Sequence, residues 1–176
     1  MSHGMNTAAK LQTQRVLTIV LFAIYALVLV GIILFKFPFS YQEDGSGRVL
    51  NLIPLAGSYR NGGVLRVDEL VENTLIFVPF GLYLSMVKRT WSFWRRTVLI
   101  LGVTVAFEII QYIFAIGRAD ITDVLTNAIG GMLGAGLYGV LTRVLKGRTD
   151  LVITVVALIL TVAALLELAF LRSHAR

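Results

Sequence analysis

"VLTIVLFAIYALVLVGIILF", Val16 to Phe35, runs through 20 residues without one charged side chain. At ~1.5 Å of rise per helical residue it covers about 30 Å, the thickness of a bilayer's hydrocarbon. It is too long for the apolar core of a signal peptide and no A-x-A-like cleavage site follows it, so it reads as a retained transmembrane helix. The whole chain carries the same message. Of its 176 residues 57% are apolar and only 15% charged, with a mean hydropathy of +0.81, whereas a soluble domain carries roughly a quarter charged residues. The opening "MSHG" looks vector-derived and takes His3 with it, leaving residues 1–14 as a stub and a short cytoplasmic tail.

Four further apolar stretches follow, at about Leu70–Val87, Thr97–Ile116, Val124–Leu141 and Leu151–Phe170. The sequence therefore predicts an all-α polytopic membrane protein, a bundle of about five transmembrane helices. Residues 15–145 form its main membrane domain and residues 146–176 a fifth helix with a short external tail. A loop at 36–69 separates the first two spans, with "EDGSG" as its turn. Within it "VLNLIPLAG" is too short to span and holds Pro54, which predicts an interfacial or re-entrant segment lying on the bundle.

Basic residues set the orientation. "KRTWSFWRR" between spans two and three holds Lys88, Arg89, Arg95 and Arg96 and no acid, with Trp91 and Trp94 as interfacial aromatics, so it belongs on the cytoplasmic side. "TRVLKGRTD", with Arg143, Lys146 and Arg148 against Asp150, and the leading Lys10 and Arg15 agree. Arg172 and Arg176 oppose this and are outvoted. The expected topology is that of a cytoplasmic-membrane protein with its N-terminus inside and its C-terminus, long loop and "GRADITD" turn outside. The net charge of +6 then meets anionic lipid headgroups and not nucleic acid. Cysteine is absent, which removes disulfide frameworks, thiol chemistry and cysteine-ligated metals.

Ordering the polar residues by depth gives the candidate site. Glu72 and Asn73 open span two from outside, Glu108 and Gln111 lie in the outer half of span three, and Asp120 and Asp123 open span four with Asn127 one turn deeper. The spacings Thr104/Glu108/Gln111, Asp120/Asp123/Asn127 and Glu69/Glu72/Asn73 each mark one helix face. Three such stripes can share one hollow toward the exterior. Glu108 is the most demanding, because an ionised carboxylate inside a membrane helix costs on the order of 3 kcal/mol. It is expected to face the interior and to be neutral or paired with Arg118, Arg66 or Arg60. Asp120 and Asp123 also read as caps of span four, and Asp68, Glu69 and Glu72 as those of span two. Asn73 and Asn127 read also as interhelical hydrogen-bond glue. Gly130-x-x-x-Gly134 and Ala135-x-x-x-Gly139 predict that span four is the central helix, packed closely on its neighbours. Pro79 in "IFVPFG" predicts a kink.

Taken in order, "NLIP" (Asn51–Pro54), "ENTLIFVPFG" (Glu72–Gly81), "FEIIQ" (Phe107–Gln111) and "GRADITDVLTNAIGGMLG" (Gly117–Gly134) resemble the VanZ-like family of bacterial membrane proteins over about Arg15 to Leu145. One residue, not two, separates Arg118 from Asp120, which departs from the family's R-x-x-D pattern and bears on where Arg118 points. The resemblance implies a cell-envelope protein connected with resistance to teicoplanin, a lipoglycopeptide acting on peptidoglycan precursors. It implies no reaction.

Three functions fit these residues. In a binding protein Asn51, Arg60, Arg66, Glu72, Asn73, Glu108, Gln111, Arg118, Asp120, Asp123 and Asn127 would hold a membrane lipid, an undecaprenyl-linked peptidoglycan precursor or a glycopeptide. In an enzyme Glu72, Glu108, Asp120 and Asp123 would work as acid and base on a lipid-linked phosphate or sugar, with a divalent cation on Glu72, Glu108 and Asp123. With histidine only at positions 3 and 174, histidine-based phosphatase, H-E-x-x-H and Ser-His chemistry lack their residue, and no P-loop or G-x-S-x-G is present. In a scaffold the polar stripes would zip the helices together.

Overall fold

The computed structural model describes the backbone of residues 2–34, 49–56, 58–60, 64–116 and 118–174, with side chains between 12 and 162 apart from Arg60 and Val64. The expected "EDGSG" turn, the side chain of Arg172 and the whole of Arg176 lie outside these described residues. Five helices carry the fold: α1 (Ser2–Leu34), α2 (Val67–Val87), α3 (Phe93–Phe114), α4 (Ile121–Leu145) and α5 (Thr149–His174). Each begins or ends a few residues beyond the apolar stretch that predicts it, and α1 begins well before, at Ser2. Among the described residues three helices are long and apolar enough to cross a membrane: α1 from Gln12, α2 and α3.

Large apolar side chains point outward. On α4, Leu125, Ile129, Leu133, Leu137, Val140 and Val144 are exposed along one face, while Val124, Ala128, Gly131, Ala135 and Tyr138 are buried on the other. Such a helix, large residues outside and small ones inside, suits lipid and not water. The inner face packs on α2 so closely that α2 and α4 form the central pair. A Cβ added at Gly130 would collide with the carbonyl oxygen of Thr74, at Gly134 with that of Val78, and at Gly81 with that of Gly131. Gly136 and Gly139 have nothing within 4 Å of such a Cβ, so only the Gly130/Gly134 half of the predicted glycine stripe lies in the seam.

Between the helix ends sits a small polar cap. Strand β1 (Val49–Asn51) pairs in parallel with β4 (Arg118–Asp120), Asn51 opposite Asp120, while β2 (Tyr59–Arg60) and β3 (Val64–Leu65) form a short hairpin. These strands qualify the all-α expectation: the segment after α1 returns to the α3–α4 turn as an extended strand, followed by a turn over Pro54.

Backbone groups left open by the helices find partners on neighbours. Pro79 lies inside α2, where its ring disturbs the preceding turn. One residue beyond Leu75, whose carbonyl loses its donor to Pro79, the carbonyl of Ile76 accepts the hydroxyl of Tyr25 on α1. Gln111 Nε2 on α3 donates to the carbonyl of Ile33 in the last turn of α1 at 2.8 Å, serving a helix-end acceptor that has no partner within its own helix. At the other end of the bundle Arg96 Nη2 donates to the carbonyls of Lys88 (3.3 Å) and Arg89 (3.1 Å), closing the basic α2–α3 connection.

Candidate functional site

The polar cap and the outer ends of α2, α3 and α4 bring together residues of four separate segments. Glu108, only 8% exposed, reaches from α3 to the N-terminus of α4, where its Oε2 accepts the backbone N–H of Asp120 at 2.7 Å. That position explains how a carboxyl group sits inside the bundle. The positive end of the α4 dipole and an otherwise open N–H both favour it. Of the arginines expected as its partners, Arg66 is buried and paired with Glu69 at 2.6 Å, Arg118 is exposed on β4, and the side chain of Arg60 lies outside the described residues.

Asp120 is the N-cap of α4. Its Oδ1 accepts from the N–H of Thr122 at 2.8 Å, and its Oδ2 accepts from Asn51 Nδ2 at 2.8 Å. Thr122 extends the same chain of contacts, because its hydroxyl accepts the N–H of Leu55 at 2.9 Å. Asp123, one turn on, reaches across to α2, its Oδ1 accepting from Asn73 Nδ2 at 2.7 Å. The two aspartates of the D-x-x-D thus divide their work, one capping α4 and holding β1, the other joining α4 to α2.

Of the three predicted stripes, that of α3 is wholly buried: Thr104, Glu108 and Gln111 all face inward. On α4 Asp120 and Asn127 are buried and Asp123 half-buried. Asn127 is 1% exposed, and its Oδ1 has no hydrogen-bond partner among the described residues. On α2 the stripe splits. Asn73 is buried but Glu72 is exposed, since neighbouring positions on a helix differ by about 100° of rotation. Glu72 is therefore turned away from the cluster that Asn73 joins. The described residues contain no group of three His, Cys, Asp or Glu side chains placed to hold a metal ion, so the proposed cation ligands Glu72, Glu108 and Asp123 do not converge. Arg118 faces out from the strand edge and not into the cluster.

Thr122 escaped the sequence reading, although the D-x-T order at a helix start is a recognisable capping signal. A second polar group, at the opposite end of the bundle, also escaped it. Asp150 at the start of α5 accepts the hydroxyl of Tyr138 at 2.9 Å and forms an ion pair with Arg89. A lone acid among basic loop residues was its only sequence signal.

The comparisons with known proteins fall on this architecture. A family model described as VanZ/LLP1 matches residues 22–143, which contain α2, α3, all but the last two residues of α4 and every residue of the polar cluster. Protein VanZ of Enterococcus faecium is 36% identical over 167 residues, covering 90% of this chain and 96% of that protein. No solved structure matches.

Proposed function

Because the chain belongs to the VanZ/LLP1 family, we propose that it is a five-span protein of the bacterial cytoplasmic membrane, N-terminus inside and C-terminus outside. In this reading it contributes to resistance to teicoplanin-type lipoglycopeptides by binding or modulating a lipid-linked envelope component at the polar end of its bundle. The carrying observation is the junction of Asn51, Glu108 and Asp120 with Asn73 and Asp123 at one level, where β1, α2, α3 and α4 meet. A set of polar residues meant only to zip helices would be distributed along their length. Asn127 adds a buried acceptor one turn below Asp123, and an acceptor without a donor costs on the order of 2 kcal/mol or more away from water. A hydroxyl or amide of a bound headgroup would supply that donor. A scaffold remains the second reading, favoured by the donors that the protein itself brings to Glu108, Asp120 and Asp123.

The test is to substitute Glu108→Gln, Asp123→Asn and Asn127→Ala singly and to measure both folded yield in mild detergent and the teicoplanin susceptibility of a sensitive Gram-positive host. The binding reading expects normal folded yield with resistance reduced to that of the empty host. Resistance that falls only in proportion to folded yield in all three variants would leave the scaffold as the answer.

A further inference from the structure

A cleft of about 440 Å³ opens at the other end of the bundle, where α1 enters its apolar stretch, α2 ends and α5 begins. Its polar lining is Gln14, Arg15, Thr18, Arg89, Thr90 and Asp150. Its remaining walls, Ile19, Met86 and Val87, are apolar. All three helices contribute at the same level, because Arg15 directly precedes the uncharged run of α1, Arg89 stands two residues after the last residue of α2 and Asp150 is the second residue of α5. The cleft is built and not merely a surface dent. Thr18 and Thr154 share a buried hydrogen bond at 3.3 Å beside it, and Asp150, held by Tyr138, pairs with Arg89 at its edge.

Two guanidinium groups, that of Arg89 paired with Asp150, together with amide and hydroxyl donors and apolar walls match an amphiphile that carries an anionic phosphate head and an acyl tail. Arginine is the side chain best suited to phosphate oxygens, and basic residues at a membrane boundary attract anionic lipid. We propose that this cleft is a binding site for the headgroup of an anionic phospholipid, with Arg15 and Arg89 as its charged contacts and Gln14 and Thr90 as its neutral donors. Most of it lies outside the family-matched stretch of residues 22–143, since α1's Gln14, Arg15, Thr18 and Ile19 and α5's Asp150 flank that range. The site therefore stands or falls apart from the polar cap.

Native mass spectrometry of the full chain in mild detergent, titrated with phosphatidylglycerol or phosphatidylcholine of the same acyl chains, tests this. The wild type should retain phosphatidylglycerol preferentially. Arg15→Gln should reduce that preference about fivefold, the equivalent of the roughly 1 kcal/mol that one basic side chain contributes at an anionic surface. Ile19→Trp fills the cleft without altering charge and should reduce retention of either lipid. Arg95→Gln removes a basic residue in the first turn of α3 that does not line the cleft and should leave the preference unchanged. Equal retention of the two lipids, or an equal loss from Arg95→Gln, would overturn the assignment. Glycerol phosphate that competes as well as the whole lipid would overturn the lipid as its source.

Discussion

Replacing Gly130 or Gly134 by alanine tests the seam on which the polar cap depends. At Gly130 the new Cβ would overlap the carbonyl oxygen of Thr74 and lie 2.9 Å from its carbonyl carbon and 3.0 Å from Phe77 Cβ. All of these belong to α2, whose backbone cannot give way as a flexible side chain can. Restoring ordinary contact requires α2 and α4 to part by roughly 1 Å, a gap that forfeits about a quarter to a half of each dispersion contact across the seam. Overpacking of this kind costs about 1–3 kcal/mol, equivalent to a fall of roughly 2–12 °C in Tm for a chain of this size. The same displacement would stretch the 2.7 Å bond from Asn73 to Asp123 beyond hydrogen-bonding distance, so Gly130→Ala should also lose whatever function that junction supports. Gly136→Ala and Gly139→Ala are internal controls. They lie on the same helix in open space, and alanine favours a helix over glycine by about 1 kcal/mol, so they should be neutral or stabilising. Thermal unfolding in detergent followed by size-exclusion fluorescence measures all four. Equal behaviour of the inner and outer glycine variants would refute close α2–α4 packing.

Gln111→Glu should destabilise the fold by about 3 kcal/mol or more, because an ionised carboxylate would face the carbonyl of Ile33 to which Gln111 now donates; wild-type thermal stability in that variant would count against the contact. Asp150→Ala should cost about 1–2 kcal/mol, mostly through the hydroxyl of Tyr138. The Arg89 side of that pair, 65% exposed, is screened by solvent and contributes little. A double-mutant cycle between Asp150 and Tyr138 should accordingly show coupling near 1 kcal/mol, and one between Asp150 and Arg89 less than about 0.5 kcal/mol.

The parts of the molecule legible in its sequence are those written as local period or depth. The uncharged run of α1 announces a helix, and Gly130 with Gly134 announces a close approach because only small residues permit one. Glu108, Asp120, Asp123 and Asn73 could be placed at one level from their distances to helix ends. Rotation was harder. The sequence places Glu72 and Asn73 side by side, and only the packing of α2 on α4 determines that Asn73 turns inward. The pairing of β1 with β4 joins segments nearly seventy residues apart through three residues each, too short for any alternation to register. Arg89 and Asp150 likewise read in the sequence as loop charges with a common sidedness, and their mutual contact depends on α2 ending where α5 begins.

The closest seam in the molecule, between α2 and α4, joins helices with a complete membrane-crossing segment between them in the chain. As the chain is made in order, Gly81 and the α2 carbonyls of Thr74 and Val78, which α4 covers in the fold, must await α4 while α3 is synthesised. Their partner arrives last of the three. A ribosome pause or an insertion chaperone acting between residues 93 and 121 would bear on the maturation of this protein more than the same delay elsewhere in the chain.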